Sequence, residues 1–232
     1  MLKIMSVFGT RPEAIKMAPV IKELEKHPDC FKSIVCVTAQ HRQMLDSVLE
    51  LFNIMPDYDL DIMKPGQDLF DITSKVLHGF KPVLEKERPD FVLVHGDTTT
   101  TMATALAVYY CRFLVGHVEA GLRTHNKYAP FPEEVNRCVT GKLTDIHFSP
   151  TEAARSNLLS EGVSESTIHV TGNTVVDALH SVVDLITSDM SIRCDLELRF
   201  SFLNPLKRLI LITGHPERKF WGWFLKYLSC YC

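Results

Sequence analysis

No run of about 18 apolar residues occurs in the 232-residue sequence, so none of it reads as a membrane-spanning helix. The opening MLKIMSVFGTRPE has no basic n-region, no long apolar stretch and no small-residue cleavage site. It therefore reads as a strand and a turn rather than a signal peptide. A large excess of either charge is also missing. The formal net charge of −3 gives no support to a nucleic-acid partner, whose footprint is a basic patch. Seven cysteines, odd in number and scattered, suit reduced thiols in a cytoplasm better than a disulfide framework. The G-x-G-x-x-G, P-loop and G-x-S-x-G patterns are all missing, which removes three common routes to an assignment. Cys230 and Cys232 have no partners at zinc-site spacing. The Asp-x-Asp of YDLD (59–61) fits a wet strand face better than a metal site, and no metal is expected.

What is present is alternation. Continuously apolar runs (LKIMSVFG at 2–9, SIVCVTA at 33–39, DFVLVHGD at 90–97, FLVGHVEAG at 113–121) are separated by segments of helical spacing, such as Leu69 to Glu87. Strands this apolar imply a parallel sheet covered by helices, so residues 1–170 read as one doubly wound α/β domain. TGNTVVDAL then leads into a second region. SIRCDLELRFSFLNPLK reads as helix and connector, and RLILITGH as the first strand of a further domain.

Chemistry concentrates at segment ends. FGTRPEAIKMAP (8–19) is a strand, a glycine turn and a helix start with exposed N–H groups, where Arg11 and Lys16 add full positive charges for an anion. The bland alternative is a capped helix with solvated cations. Asp97 follows a buried strand and either caps the helix begun by four threonines or faces a ligand at the strands' carboxyl end. Glu119 ends the next strand, where an apolar setting would suit it to acid/base work. Glu133 and Glu134 open a helix. For Glu134 complementarity to the helix dipole suffices, while for Glu133 both readings stand. His41, His95, His117 and His147 read as structural or supporting residues rather than ligands. Carboxylates converging on one cleft can divide acid and base roles between them.

FGTRPEAIKMAP, VTAQHRQMLD, YDLDIMKPGQ, LVHGDTTTTMA, VGHVEAGLRT, PFPEEVNR, HFSPTEAARSNLL and VTGNTVVDAL, in this order, closely resemble the non-hydrolysing UDP-N-acetylglucosamine 2-epimerases of bacteria. The likeness runs over residues 1–215. It implies a GT-B-like fold, with a Rossmann-like N-terminal domain over 1–170 and the start of a nucleotide-binding domain over 171–215. It also implies interconversion of UDP-N-acetylglucosamine and UDP-N-acetylmannosamine for surface polysaccharide synthesis. The route is anti elimination of UDP and syn re-addition, without metal or nicotinamide, in a cytoplasmic homodimer that needs neither nucleic acid nor membrane. The resemblance assigns Asp97, Glu119 and Glu133 as the functional carboxylates, Arg11 and Lys16 as the basic positions after the first strand, and His215 as a nucleotide-sugar contact. Gln40 and Gln43 fall in the segment where some members bind a second, activating substrate molecule.

The resemblance stops at His215. Where the family continues with two arginines and a long second domain, this chain has Pro216 and PERKFWGWFLKYLSCYC (216–232), which reads as translation in a shifted frame. The expectation is a one-walled cleft, with weak or no activity, in an association-prone chain. The rival reading is a non-catalytic remnant that binds a nucleotide sugar or phosphate, or that dimerises.

Overall fold

The computed structural model describes residues 1–38, 42–62, 64, 66–204 and 206–211, excluding the side chains of Arg42 and Gln43. Gln40, His215 and the tail from 216 lie outside the described residues, as does the side chain of Gln43.

Seven strands form one parallel sheet: β1 (Leu2–Phe8), β2 (Phe31–Val37), β3 (Tyr58–Asp59), β4 (Phe91–His95), β5 (Leu114–Val118), β6 (Ile146–Ser149) and β7 (Ile168–Val170). The order is β3-β2-β1-β4-β5-β6-β7, and every pairing is parallel. The connecting helices are α1 (Arg11–Glu25), α2 (Arg42–Leu51), α3 (Leu69–Glu87), α4 (Thr99–Tyr110), α5 (Glu133–Leu143) and α6 (Glu152–Ser160). They are followed by α7 (Val175–Ser188) and α8 (Met190–Arg199). This is the expected doubly wound, Rossmann-like sheet. Its order reverses between β1 and β4, the switch point where open α/β sheets bind ligands.

Side chains alternate across the sheet, and two cores result. Ile4, Phe8, Val35 and Val37 pack with Met17 and Ile21 of α1 and Leu45 and Val48 of α2. Met5, Val7, Ile34 and Val94 pack on the other face with Phe80 and Leu84 of α3 and Val108 of α4. The helices from β4 onward leave part of the α1 face open. There Phe91, Leu93, Val118, Ile146 and Phe148 line an apolar groove of about 700 Å³.

The chain divides into two compact units, Met1–Asp184 and Leu185–Cys232. In the second, α8 realises the expected helix. The strand expected over RLILITGH does not form where it is described: residues 208–211 carry no strand pairing, and Leu209, Ile210 and Leu211 are exposed. An apolar run supplies β propensity, but a strand also requires a neighbour to complete its ladder.

Candidate functional site

The loop between β1 and α1 is held from inside by Glu13. Its carboxylate is 2% exposed and accepts from the backbone N–H of Gly9 (2.9 Å) and Thr10 (2.7 Å) through Oε2. Through Oε1 it meets the hydroxyls of Thr98 (2.6 Å) and Thr101 (3.1 Å) at the start of α4. Sequence reasoning passed over Glu13, although Thr10-Arg11-Pro12-Glu13 has capping-box spacing. The consequence corrects one expectation. The Gly9 and Thr10 N–H groups are already taken by Glu13, so they are not the free anion donors the sequence suggested. Gly9 itself is required sterically, because a Cβ there would lie 2.1 Å from Thr38 Oγ1.

Replacing Glu13 with leucine leaves two N–H groups and two hydroxyls without their shared partner. Each buried orphan costs about 1–3 kcal/mol, so Glu13→Leu should lower the urea midpoint strongly. Glu13→Gln should be mild, since its oxygen can face the amides and its NH2 the hydroxyls. Equal midpoints for the two variants would remove the brace from this account.

Across the switch point, Lys16 Nζ grips both oxygens of Glu119, at 2.6 and 2.7 Å. Asn173, just beyond β7, donates to Glu119 Oε1 at 3.2 Å. Glu119 leaves the end of β5 at φ +64°, a left-handed conformation uncommon for a residue with a side chain. Backbone strain of this kind gathers at functional sites. Arg11 is exposed and makes no ion pair among the described residues.

Asp97 does not cap α4. Thr98 does, accepting from Thr101 N–H at 3.1 Å. The Asp97 carboxylate instead pairs with Arg137 of α5, while its backbone carbonyl accepts from Asn136 Nδ2 at 3.0 Å. These contacts tie α5 to the end of β4. Glu133, one turn before Arg137 on α5, has a buried Oε2 with no hydrogen-bond partner. Glu134 does more than complement a dipole. It is 3% exposed and accepts from the N–H groups of Thr124 (3.0 Å) and His125 (2.8 Å). Burial alone would push its carboxyl up, but those hydrogen bonds and Arg137 outweigh burial and hold it below the usual carboxylate range. Glu134 is thus a brace for the 124–125 turn.

Three histidines lie on neighbouring strands. Burial, with Lys16 adding to it, pushes His95 down to about 3. Burial pushes His117 down to about 3 against the pull of the Gly96 carbonyl, which lies 2.6 Å from its Nε2. Burial and then Arg123 push His147 down to about 4. All three are neutral near pH 7. The YDLD segment closes locally, with Asp61 N–H donating to Asp59 Oδ1 at 2.9 Å. No group of three or more metal-ligating side chains gathers among the described residues.

The molecule is thus a doubly wound α/β protein with two cation–carboxylate pairs at the carboxyl ends of its strands, beside the switch point. The family model for UDP-N-acetylglucosamine 2-epimerase matches residues 22–222, and the chain belongs to that family. It is 58% identical over 219 residues to the UDP-N-acetylglucosamine 2-epimerase of Escherichia coli strain K12, covering 94% of this chain and 58% of that protein. The Yersinia pestis relative of the same name is 57% identical, over 98% of this chain and 60% of its own length. The chain thus spans about three fifths of the curated relatives it matches. A crystal structure of the Neisseria meningitidis UDP-GlcNAc 2-epimerase bound to UDP-GlcNAc superposes with a TM-score of 0.86 at 50% identity. That match covers 99% of this chain and 63% of the other. No helix among the described residues is long and apolar enough to cross a membrane.

Proposed function

We propose that this site interconverts UDP-N-acetylglucosamine and UDP-N-acetylmannosamine without net hydrolysis. The Lys16–Glu119 pair at the switch point carries the reading: a cation suited to a diphosphate and a carboxylate suited to a sugar proton sit within one hydrogen bond of each other. A diphosphate entering from the strand ends competes for Lys16, with Arg11 free to join it. Withdrawal of Lys16 leaves Glu119 a stronger proton acceptor. Of Asp97, Glu119 and Glu133, one removes the proton from carbon 2. Its electron pair forms the carbon 1–carbon 2 double bond as the carbon 1–oxygen bond breaks and UDP leaves. Protonation of carbon 2 from the opposite side, with return of UDP to carbon 1, gives the epimer.

The same reading divides the chain into an N-terminal domain over 1–170 and the start of a nucleotide-binding domain over 171–215, with His215 contacting the nucleotide sugar. It includes a homodimer, a cytoplasmic place of work and a product destined for surface polysaccharide, with Gln40 and Gln43 in the segment where some members of the family bind an activating substrate molecule. A second reading is a domain that binds the nucleotide sugar without turning it over.

The two readings separate in heavy water. UDP-N-acetylglucosamine incubated with the purified chain should gain deuterium at carbon 2, seen as loss of that proton's NMR signal. Saturable UDP binding without deuterium uptake would leave the second reading. Neither binding nor uptake would remove both.

A further inference from the structure

His95 ends β4 inside the protein, 3% exposed, and neither of its ring nitrogens has a hydrogen-bond partner. Buried polar atoms are seldom left so, and two on one ring call for an explanation. The backbone beneath the ring is fixed: Thr101 Oγ1 meets the His95 carbonyl at 2.5 Å, and His95 pairs in register with Val118 of β5. A carboxylate stands near the ring. Nε2 lies 3.5 Å from Oε2 of Glu119, just beyond ordinary hydrogen-bond length. Glu119 is meanwhile held by Lys16 from α1 and Asn173 from beyond β7. Groups from α1, from β4 and from beyond β7 thus all approach this carboxylate.

We infer that His95 is the positioning residue for Glu119, a neutral imidazole carrying its proton on Nε2 and donating it as a hydrogen bond to Glu119 Oε2. An uncharged donor orients the carboxylate without neutralising it. Lys16, by contrast, stabilises the negative charge and opposes proton uptake. A shift of a few tenths of an ångström closes the His95 contact, so Glu119 keeps its aim even when Lys16 moves to a diphosphate. The neutrality required here agrees with the burial that pushes His95 down to about 3. That Glu119 then acts on a sugar rests on the proposed function, whereas the hydrogen bond does not.

The test is a long-range proton–nitrogen correlation spectrum of the full chain with 15N-labelled histidine, the His95 signals being assigned by their loss in His95→Gln. The expected result is the Nε2–H tautomer, with nitrogen and proton signals that move in Glu119→Ala. An Nδ1–H tautomer, or an Nε2–H signal indifferent to Glu119→Ala, overturns the assignment. The tautomer is read on the unaltered chain, so it decides even if a variant folds poorly. Adding UDP separates this claim from the reading it deepens. Signals that respond to Glu119→Ala but not to saturating UDP would retain the His95 role and remove the diphosphate.

Discussion

Glu119→Gln is expected to lower deuterium uptake at carbon 2 of UDP-N-acetylglucosamine by about 100- to 10,000-fold, the range for a lost acid/base group. Glutamine keeps the size of the side chain and leaves an oxygen for Lys16 or Asn173, so the fold should survive while the proton acceptor is lost. The loss should fall on turnover more than on the concentration needed for half-saturation, because the proposed diphosphate grip is that of Lys16 and Arg11. Lys16→Met should reverse that split. Asp97→Asn is expected to fall in the same range as Glu119→Gln. It also weakens the contact with Arg137 that ties α5 to the end of β4, so its circular dichroism and melting must accompany the rate. Glu133→Gln discriminates most sharply, since its buried Oε2 has no partner whose loss would disturb the structure. Full exchange in that variant would take Glu133 out of the mechanism.

The second large effect is on stability in mild acid. His95, His117 and His147 are neutral in the folded chain, pushed down to about 3, 3 and 4. Once unfolded, each takes up a proton near pH 6.5. Between that value and the folded one the unfolded state binds more protons, so stability rises with pH across the window. It is fully present above pH 6.5 and lost progressively as the pH falls toward 4, continuing toward 3 for His95 and His117. Each fully linked site contributes about 1.4 kcal/mol per pH unit, and three together about 4. Glu134 and Glu161, both held below the usual carboxylate range, act in a separate and lower window. Their stabilising charge is present above about pH 4.5 and lost below it. Urea midpoints should therefore drop clearly between pH 7 and pH 5, before the carboxylates take part. His147→Gln should flatten the slope, and equal midpoints at pH 7 and 5 would contradict the neutral burial of all three histidines.

Sequence periodicity reads well where local forces suffice. Helix α3 occupies the predicted Leu69–Glu87 span because its apolar spacing, the Asp68 cap and Asp71 in the first turn all agree. Asp97 and Glu119 were visible as acids at the ends of apolar strands, a position that parallel sheets reserve for ligands. Their partners were not visible. Lys16 meets Glu119 across 103 residues, and Arg137 meets Asp97 across 40. Pairings of that range depend on strand order, which spacing does not encode. Glu134 was legible only as a charge at a helix start, since its role arises from a turn that folds back from residues 124–125. The strand expected at RLILITGH is missing over its described part, residues 208–211, for a complementary reason: the composition favours extension, but extension is stable only beside another strand.

The open groove beside α1 also affects how the chain responds to temperature. Leu2 and Leu114, on its rim, are 54% and 49% exposed in the folded state, so part of the sheet's hydrocarbon is already hydrated before unfolding begins. Unfolding therefore adds less newly wetted apolar surface than a fully clad sheet would. A typical globular chain of 232 residues would show a heat-capacity increment of about 3 kcal/mol/K. This one should fall below that value, its stability curve correspondingly flat. Any polypeptide that settles on Phe91, Leu93 and Phe148 would displace that water and announce itself calorimetrically by a negative heat-capacity change.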